Sequence, residues 1–475
     1  MTGQLLLLKL PNALKRVSWL PCATLLWAGF LRAQSPGPDL TISAAVDAAL
    51  RNYPSIQVSQ EQLNAAAAGI SLARTAYLPR IDTLAQVNRG SRNNVFGQLL
   101  PQLPQTVIPT LSGPVIGSNN FGSAFGSALG ALITWEPFDF GLRQAGVNAA
   151  ESTRQQAQAA LKRTQFEIAV ATADACLTLA AAQETVLAAQ ASVDRAEIVL
   201  KTTKALVGAE LRPGADASRA EAELAAARTQ QIQAVQAVAV ARASLVRFVG
   251  SEPATIALRT EPLRHLPADR KNEPNLDVSN PVLAEQAAVI EQARAQLRVL
   301  ERSYFPHFYL EGSVSARGTG AETNGALLGG VNGLAPTVQN YALGLTVSFP
   351  VMDKAAIQAR ESAQASTVKA QEARARQLAV DLKAQWNIAA ANLEGARRVA
   401  ENLPVQLAAA KAASQQATAR YQAGFGTLTD VAEAQRLQTQ SEIDDALARL
   451  SVWRGLLGLA AAAGDIRPFL AEASR

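Results

Sequence analysis

The sequence predicts a mostly α-helical protein with a small membrane-spanning sheet: long antiparallel helices in a tall α-helical barrel, and four β-strands per chain. Three observations predict it. The composition is rich in Ala, Gln, Leu and Arg, with only 5% aromatic residues, two His and two Met. That bias suits long packed helices better than a mixed catalytic domain. The chain is also written twice, with one order of elements in each half. Finally, four segments of about ten residues alternate apolar and polar side chains, as strands of an outer-membrane barrel do.

Lys9, Lys15 and Arg16 precede an apolar stretch from Val17 to Phe30, and Arg32-Ala33-Gln34-Ser35-Pro36 follows. Residues 1–33 read as a secretory signal peptide cleaved near Ala33. The rival, a transmembrane anchor, would need a longer run than this one, which Ser18, Pro21 and Thr24 interrupt. The segment contains four of the 44 Lys and Arg and no acid, leaving about 40 basic groups against 39 acidic ones. The formal charge of +5 therefore carries no argument for nucleic acid. Cys22 lies inside the apolar run, without the preceding small residue that lipoprotein processing needs. Cys176 is then alone, expected as a small apolar residue in a helix with no internal disulfide.

The repeat sets the domain plan: a first copy over 34–251, a connector rich in Pro, Asp and Asn over 252–280, a second copy over 281–465, and a C-terminal tail over 466–475. Asn52-Tyr53-Pro54 opens a helix that closes at Ala76-Tyr77-Leu78-Pro79, and Ser279-Asn280-Pro281 opens its counterpart, closing at Ser303-Tyr304-Phe305-Pro306. Pro suits both ends, since it cannot donate the hydrogen bond of a helix interior. Two alternating segments follow in each copy, ending on Trp135-Glu136-Pro137-Phe138-Asp139 or on Phe349-Pro350-Val351-Met352-Asp353. A long Ala/Gln/Arg helix comes next and breaks at Gly208 to Gly214, or at Gly424 to Gly426. The return helix carries Asp216-x-x-x-Ala220 or Asp430-x-x-x-Ala434.

Lengths point to a cylinder. The first long helix, from about Gly141 to Val207, spans roughly 100 Å, and the two shorter helices of the same copy stacked end to end span roughly 85–90 Å. On the second long helix Leu393, Ala396, Ala400, Leu403 and Leu407 recur by three and four, a coiled-coil seam. Pro404 lies inside that helix and has no counterpart in the first copy, so a bend is expected there.

In the strands, Phe308, Leu310, Gly312, Val314 and Ala316 alternate with polar residues, as do Tyr341, Leu343, Leu345, Val347 and Phe349. Ile81, Thr83, Ala85 and Val87, with Leu129, Ala131, Ile133 and Trp135, do the same in the first copy. A soluble sheet on a core gives the same alternation. Two features favour lipid: an opposite face that is polar, and an aromatic belt of Tyr77, Trp135, Phe138, Phe140, Tyr304, Phe305 and Phe349 at the strand ends. Four strands cannot close a barrel and open edges cannot sit in lipid, so oligomerisation is required. The Gly/Asn/Ser-rich loops Arg89–Ser127 and Gly318–Gln339 are expected outside.

With these elements in hand, the chain resembles the TolC-like outer-membrane efflux family from about Leu40 to Gly464. The resemblance implies a homotrimer, four strands per protomer closing into a twelve-stranded barrel, above a periplasmic helical tunnel in the bacterial envelope. It implies partners as well: a periplasmic adaptor (membrane fusion protein) and an inner-membrane pump of RND, ABC or MFS type, with lipid around the barrel and no cofactor. Tyr421-Gln422-Ala423-Gly424, followed by Thr429-Asp430-Val431-Ala432-Glu433-Ala434, resembles the segment that closes the periplasmic mouth. Asp430 and Glu433 match its acidic ring, Tyr421 its latch tyrosine and Asp216 the latch partner. Such a ring would select cations. The same acids also suit a helix N-terminus through its partial positive charge, and both readings stand. The basic latch partner expected near Gly426 is absent, and Leu211-Arg212-Pro213-Gly214 departs from the family's smoother turn. Gly208 and Gly424 remain as turn glycines at the adaptor contact, which also suits the simple ending of helices.

No metal spacing, nucleophile elbow or phosphate-binding loop appears, and His265 and His307 stand apart, so no enzyme is expected. The competing reading is a periplasmic coiled-coil scaffold or envelope tether. It shares the helices but has no need of signed strands with aromatic ends.

Overall fold

The computed structural model describes residues 40–90, 123–250, 258–268, 280–320, 322 and 326–474. The expected signal peptide, most of the first external loop and residues 252–257 and 269–279 of the connector lie outside the described residues.

The first half runs α1 (Ile42–Asn52), α2 (Pro54–Thr75), β1 (Arg80–Gly90), β2 (Ala124–Phe138), α3 (Leu142–Gly208) and α4 (Gly214–Val249). The second runs α5 (Pro281–Arg302), β3 (His307–Thr319), β4 (Val338–Ser348), α6 (Lys354–Gln422), α7 (Leu428–Ala463) and α8 (Arg467–Ala473). Pro54 and Pro281 each occupy the first turn of their helices. At α5 the Asn280 side chain accepts from the Val282 N–H at 2.9 Å and donates to the Ala462 carbonyl at 3.2 Å. Gly464 ends α7 in the left-handed region at φ 79°, where a Cβ would fall 2.8 Å from the Asn280 Cα. Glycine is required there on both counts.

α3 has 67 residues and α6 has 69, about 100 Å each. By length and composition alone α3, α4 and α7 would each suffice to cross a membrane. At 67 residues, though, α3 is far longer than a hydrocarbon core of about 30 Å requires. Its apolarity is mostly alanine, which lets helices approach closely. α6 runs unbroken through Pro404, whose ring is exposed. The seam Leu393, Ala400 and Leu403 packs against Ala448 and Val452 of α7.

The largest core gathers α1, α3, α4, α7 and α8 midway along the shaft. Thr41 caps α1 by accepting from the Ala44 N–H at 3.1 Å, and Ile42, Ala45, Val46 and Ala49 turn inward. The segment expected as a tail instead folds as α8, which drives Phe469 edge-on against Trp453 at 6.2 Å between ring centroids. The Trp453 indole N–H donates to the His265 carbonyl at 3.1 Å, so the described part of the connector is clamped to the shaft. Cys176 is buried in this core, and burial pushes its thiol up to about 12. It packs there as a small apolar side chain.

The sheet is antiparallel in the order β1-β2-β3-β4, with β1 and β4 at its edges. The register pairs Ile81 with Ile133, Ala131 with Val314, Trp135 with Leu310, and Leu310 with Leu345. Cross-strand partners share a face. One face is therefore apolar from edge to edge and open, with Tyr341 87% and Leu343 78% exposed. Asp82, Thr134, Glu311, Ser313, Ser315, Arg317 and Thr346 line the other, where Leu84 is an apolar exception. β2 and β3 extend a few residues further outward than the loop boundaries expected.

Candidate gate at the helical turns

At the end of the shaft away from the sheet, α3 turns into α4 and α6 turns into α7, and the two turns touch. Both helices end in the same hydrogen-bond pattern. Leu211 N–H bonds to the Leu206 carbonyl and Glu210 N–H to that of Val207; Phe425 bonds to Arg420 and Gly424 to Tyr421 in the same way. This is a Schellman closure, whose penultimate residue must be left-handed. Gly424 takes that place at φ 89°, but in the first turn Glu210 takes it, at φ 58°. Gly208 is the last residue of α3 and so ends that helix, but it does not take the left-handed position; there the counterpart of Gly424 is Glu210. A glycine two residues off the closing position is indistinguishable by composition.

Tyr421 is 2% exposed, in a small core with Ala220, Leu428 and Val431. Its hydroxyl donates to Asp216 Oδ2 at 3.2 Å and lies 3.4 Å from Thr203 Oγ1. Burial first, then the Asp216 carboxylate, pushes the phenol above its ordinary value of 10.0. It stays protonated, and its contribution falls away only as the medium is raised from pH 10 through that higher value.

Arg212 supplies the cation that the second turn lacks. It donates from Nη2 to the Tyr421 carbonyl at 2.7 Å and to the Gly426 carbonyl at 3.1 Å, and its guanidinium lies 4.5 Å over the Tyr421 ring. A side chain at Gly426 would press on Arg420 and on the Tyr421 backbone, at 3.2–3.4 Å. The cation thus sits on the first turn, in sequence register with Gly426. Sequence reasoning noted Arg212 only as a departure; the signal lay in reading the two turns as partners.

Asp430 on the first turn of α7 and Glu433 three residues further on are exposed, while Leu428, Val431 and Ala432 face inward. Asp430 completes a capping box: it accepts from the Thr427 N–H at 3.0 Å, and its own N–H donates to Thr427 Oγ1 at 3.3 Å. The Thr427 backbone hydrogen bond, ahead of the Thr427 side chain, holds its carboxyl below the usual range. Leu211 and Phe425 project from the two tips, 69% and 80% exposed. Sequence reasoning missed both, although each follows the left-handed residue of its turn.

About 18 Å up the shaft Arg195 crosses from α3 to α7, donating to Glu442 at 2.9 and 3.3 Å and to Thr439 at 2.8 Å. At the opposite end the aromatic residues converge. Trp135 donates to the Tyr77 carbonyl at 3.1 Å, Phe138 lies 6.2 Å from Phe308, Phe140 stacks on Phe305 at 5.3 Å, and Tyr304 lies 5.4 Å from Phe349. His307 sits on the polar side there, with Nδ1 2.7 Å from Glu136.

A match to the family described as outer membrane efflux protein spans residues 45–251 and 275–465. The chain belongs to that family. Among curated relatives it is 24% identical to the cobalt-zinc-cadmium resistance protein CzcC of Cupriavidus metallidurans over 421 residues, covering 86% of each. It is 25% identical to protein CyaE of Bordetella pertussis over 273 residues, which is 54% of this chain and about half, 52%, of that protein. Its fold matches the outer-membrane channel OprN at a TM-score of 0.70 and 21% identity, covering 89% of both chains. It matches CusC at 0.73 and 13%, covering 91% and 94%. This family member is an outer-membrane efflux channel protein whose helical part stands in the periplasm.

Proposed function

We propose that three copies close their sheets into a twelve-stranded barrel and that the trimer is the exit duct of a tripartite efflux or type I secretion system. The open sheet carries this reading: one face is largely apolar, with Ile81, Val314, Tyr341 and Leu343 exposed, and β1 and β4 stand at its edges. Unpaired backbone groups are not tolerated in hydrocarbon, so each β4 needs the β1 of another copy. A periplasmic adaptor seats on the tips through Leu211 and Phe425, and an inner-membrane pump of RND, ABC or MFS type supplies the energy and selects the cargo. The Tyr421–Asp216 bond and the Arg212 clamp hold the tips shut. Asp430 and Glu433 from three copies ring the mouth and favour cations, while Asp430 also caps α7. Pro404 bends the gating pair away from the static one.

The test is single-channel recording of the purified trimer in planar bilayers. Asp430→Ala with Glu433→Ala should lower the cation-to-anion permeability ratio and weaken block by trivalent cations. Asp430→Asn alone should cost less. Unchanged selectivity in the double variant would leave both acids as helix-capping groups. A monomer that stays in solution without detergent would overturn the trimeric duct itself.

A further inference from the structure

The second external loop has an unusual composition: no charged residue occurs between Glu322 and Asp353. Its path is set by three glycines. Gly318 lies in β3 on the same face as Leu310 and Val314, the open apolar face. A side chain there would collide with the Ala335 carbonyl, approach that of Gly333 to 2.8 Å, and meet the hydroxyl of Ser127, its partner on β2, at 2.7 Å. Gly333, at φ 95°, leaves no room for a Cβ beside the Phe125 carbonyl and the Gly320 nitrogen. The Gly320 N–H donates to the Phe125 carbonyl at 2.8 Å, and Leu328 N–H to that of Gly320 at 2.7 Å. Residues 331–335 thus cross the apolar side of β3 toward β2 and bury Ser127, rather than folding over the polar side.

The height is also defined. Ten residues separate Phe308, in the aromatic cluster, from Gly318. At about 3.4 Å per residue and a tilt near 40° they rise about 26 Å, against an apolar band of about 25 Å in such barrels. The loop therefore emerges at the outer interface. There Val331 is 74% exposed and Leu328 is open as well. Beside them, on the same face, the exposed guanidinium of Arg89 lies 4.9 Å over the Phe125 ring, with Nε donating to Ser123 Oγ at 2.9 Å.

We propose that this loop is a membrane-surface anchor: Val331 and Leu328 enter the outer leaflet, and Arg89 beside them meets the phosphate of an anionic outer-leaflet glycolipid. The patch lies outward of the lipid-facing Leu343 and Tyr341, past Ala316 on β3 and Gln339 on β4, and a cation at its rim is matched by phosphate. The inference rests on the barrel reading above.

The experiment places a nitroxide at Val331→Cys, and separately at Leu343→Cys, in trimers carrying Cys22→Ser; Cys176 is buried. The trimers are reconstituted in vesicles containing lipid A. The expected result is a Val331 label relaxed by oxygen more than by a water-soluble nickel complex, in the same sense as the Leu343 label. Adding Gly318→Val should displace the loop and reverse that order at Val331. A Leu343 label in lipid with a Val331 label in water overturns the anchor and leaves the barrel standing. A Leu343 label in water overturns both. A Val331 label reached by neither probe would mean protein covers the loop, and also overturns the anchor. By native mass spectrometry Arg89→Ala should lose retained lipid A and Arg89→Lys should keep it; equal retention by all three proteins removes the glycolipid.

Discussion

Asp139 and Asp353 end the same motif in the two halves, at the corner where sheet gives way to long helix, yet they work differently. Asp139 is buried: its carboxylate accepts from the Gly141 N–H at 3.1 Å, from the Arg143 N–H at 2.6 Å and from Arg143 Nε at 2.9 Å. Phe140 and Gly141 take left-handed backbone to allow it, at φ 52° and 89°. Asp353 is exposed, ends a 3₁₀ turn and makes no side-chain cap. At the far turns the asymmetry reverses. The second half has the capping box and the glycine; the first has Pro213 without a side-chain cap and Glu210 in the strained position. The lesson is that duplication preserved the path of the chain and freed its corners. The first half is fastened at the sheet end, and at the helical turns it lends Arg212 and Asp216 to the second.

The largest effect should come from the membrane corner. Asp139→Ala takes the carboxylate from the enclosed Arg143 guanidinium and should cost about 3–5 kcal/mol, read as a fall in the thermal midpoint of the detergent-solubilised protein. Asp353→Ala should shift the midpoint little, and equal losses would break the comparison. Burial alone would raise the Asp139 carboxyl, but the bonds from Arg143 and Gly141 outweigh it and hold it below 3.8. Its stabilisation is thus present above pH 3.8 and fades as pH falls through the lower folded value. Asp139→Ala should flatten that acid limb and Asp353→Ala should not.

Next is the gate. Arg212→Ala removes two charge-assisted bonds worth about 1.5–3 kcal/mol in all and should raise resting conductance in planar bilayers. Tyr421→Phe should raise it too, and the two effects should be less than additive because both act on one contact. A conductance no higher than that of the exposed-site variant Arg219→Ala would remove Arg212 from the lock.

Smaller changes are expected at the closing residues. Glu210→Gly should stabilise the first turn by about 1 kcal/mol, whereas Gly424→Ala should destabilise the second by about 1–2 kcal/mol. Denaturant midpoints of the purified protein measure both, and the same sign for the two would contradict the assigned correspondence. The smallest effect is on the second cap. Asp430→Asn should slightly reduce the loss of α7 order below pH 3.8, since the wild-type carboxylate is held below that value and stabilises the cap above it. Amide exchange at Thr427 as a function of pH reports it.

Long helices, their pairing lengths, four alternating strands and the aromatic ends were legible in the sequence, because periodicity and proline or glycine punctuation are local properties of the chain. Tyr421 and Asp216 were legible through family resemblance. Helix α8 was not, since its seven residues gain order only by burying Phe469 in a core built from the rest of the chain. Nor was the role of Arg212, which depends on two turns some two hundred residues apart meeting face to face. The left-handed residue of the first turn was equally hidden, because backbone hydrogen bonds select the position and composition only suggests it. What the sequence by itself determined is which segments are helix or strand and which side of each is apolar. Tertiary structure alone decided which corners are locked, because a hydrogen bond or ion pair between distant turns exists only after packing has brought them within bonding reach.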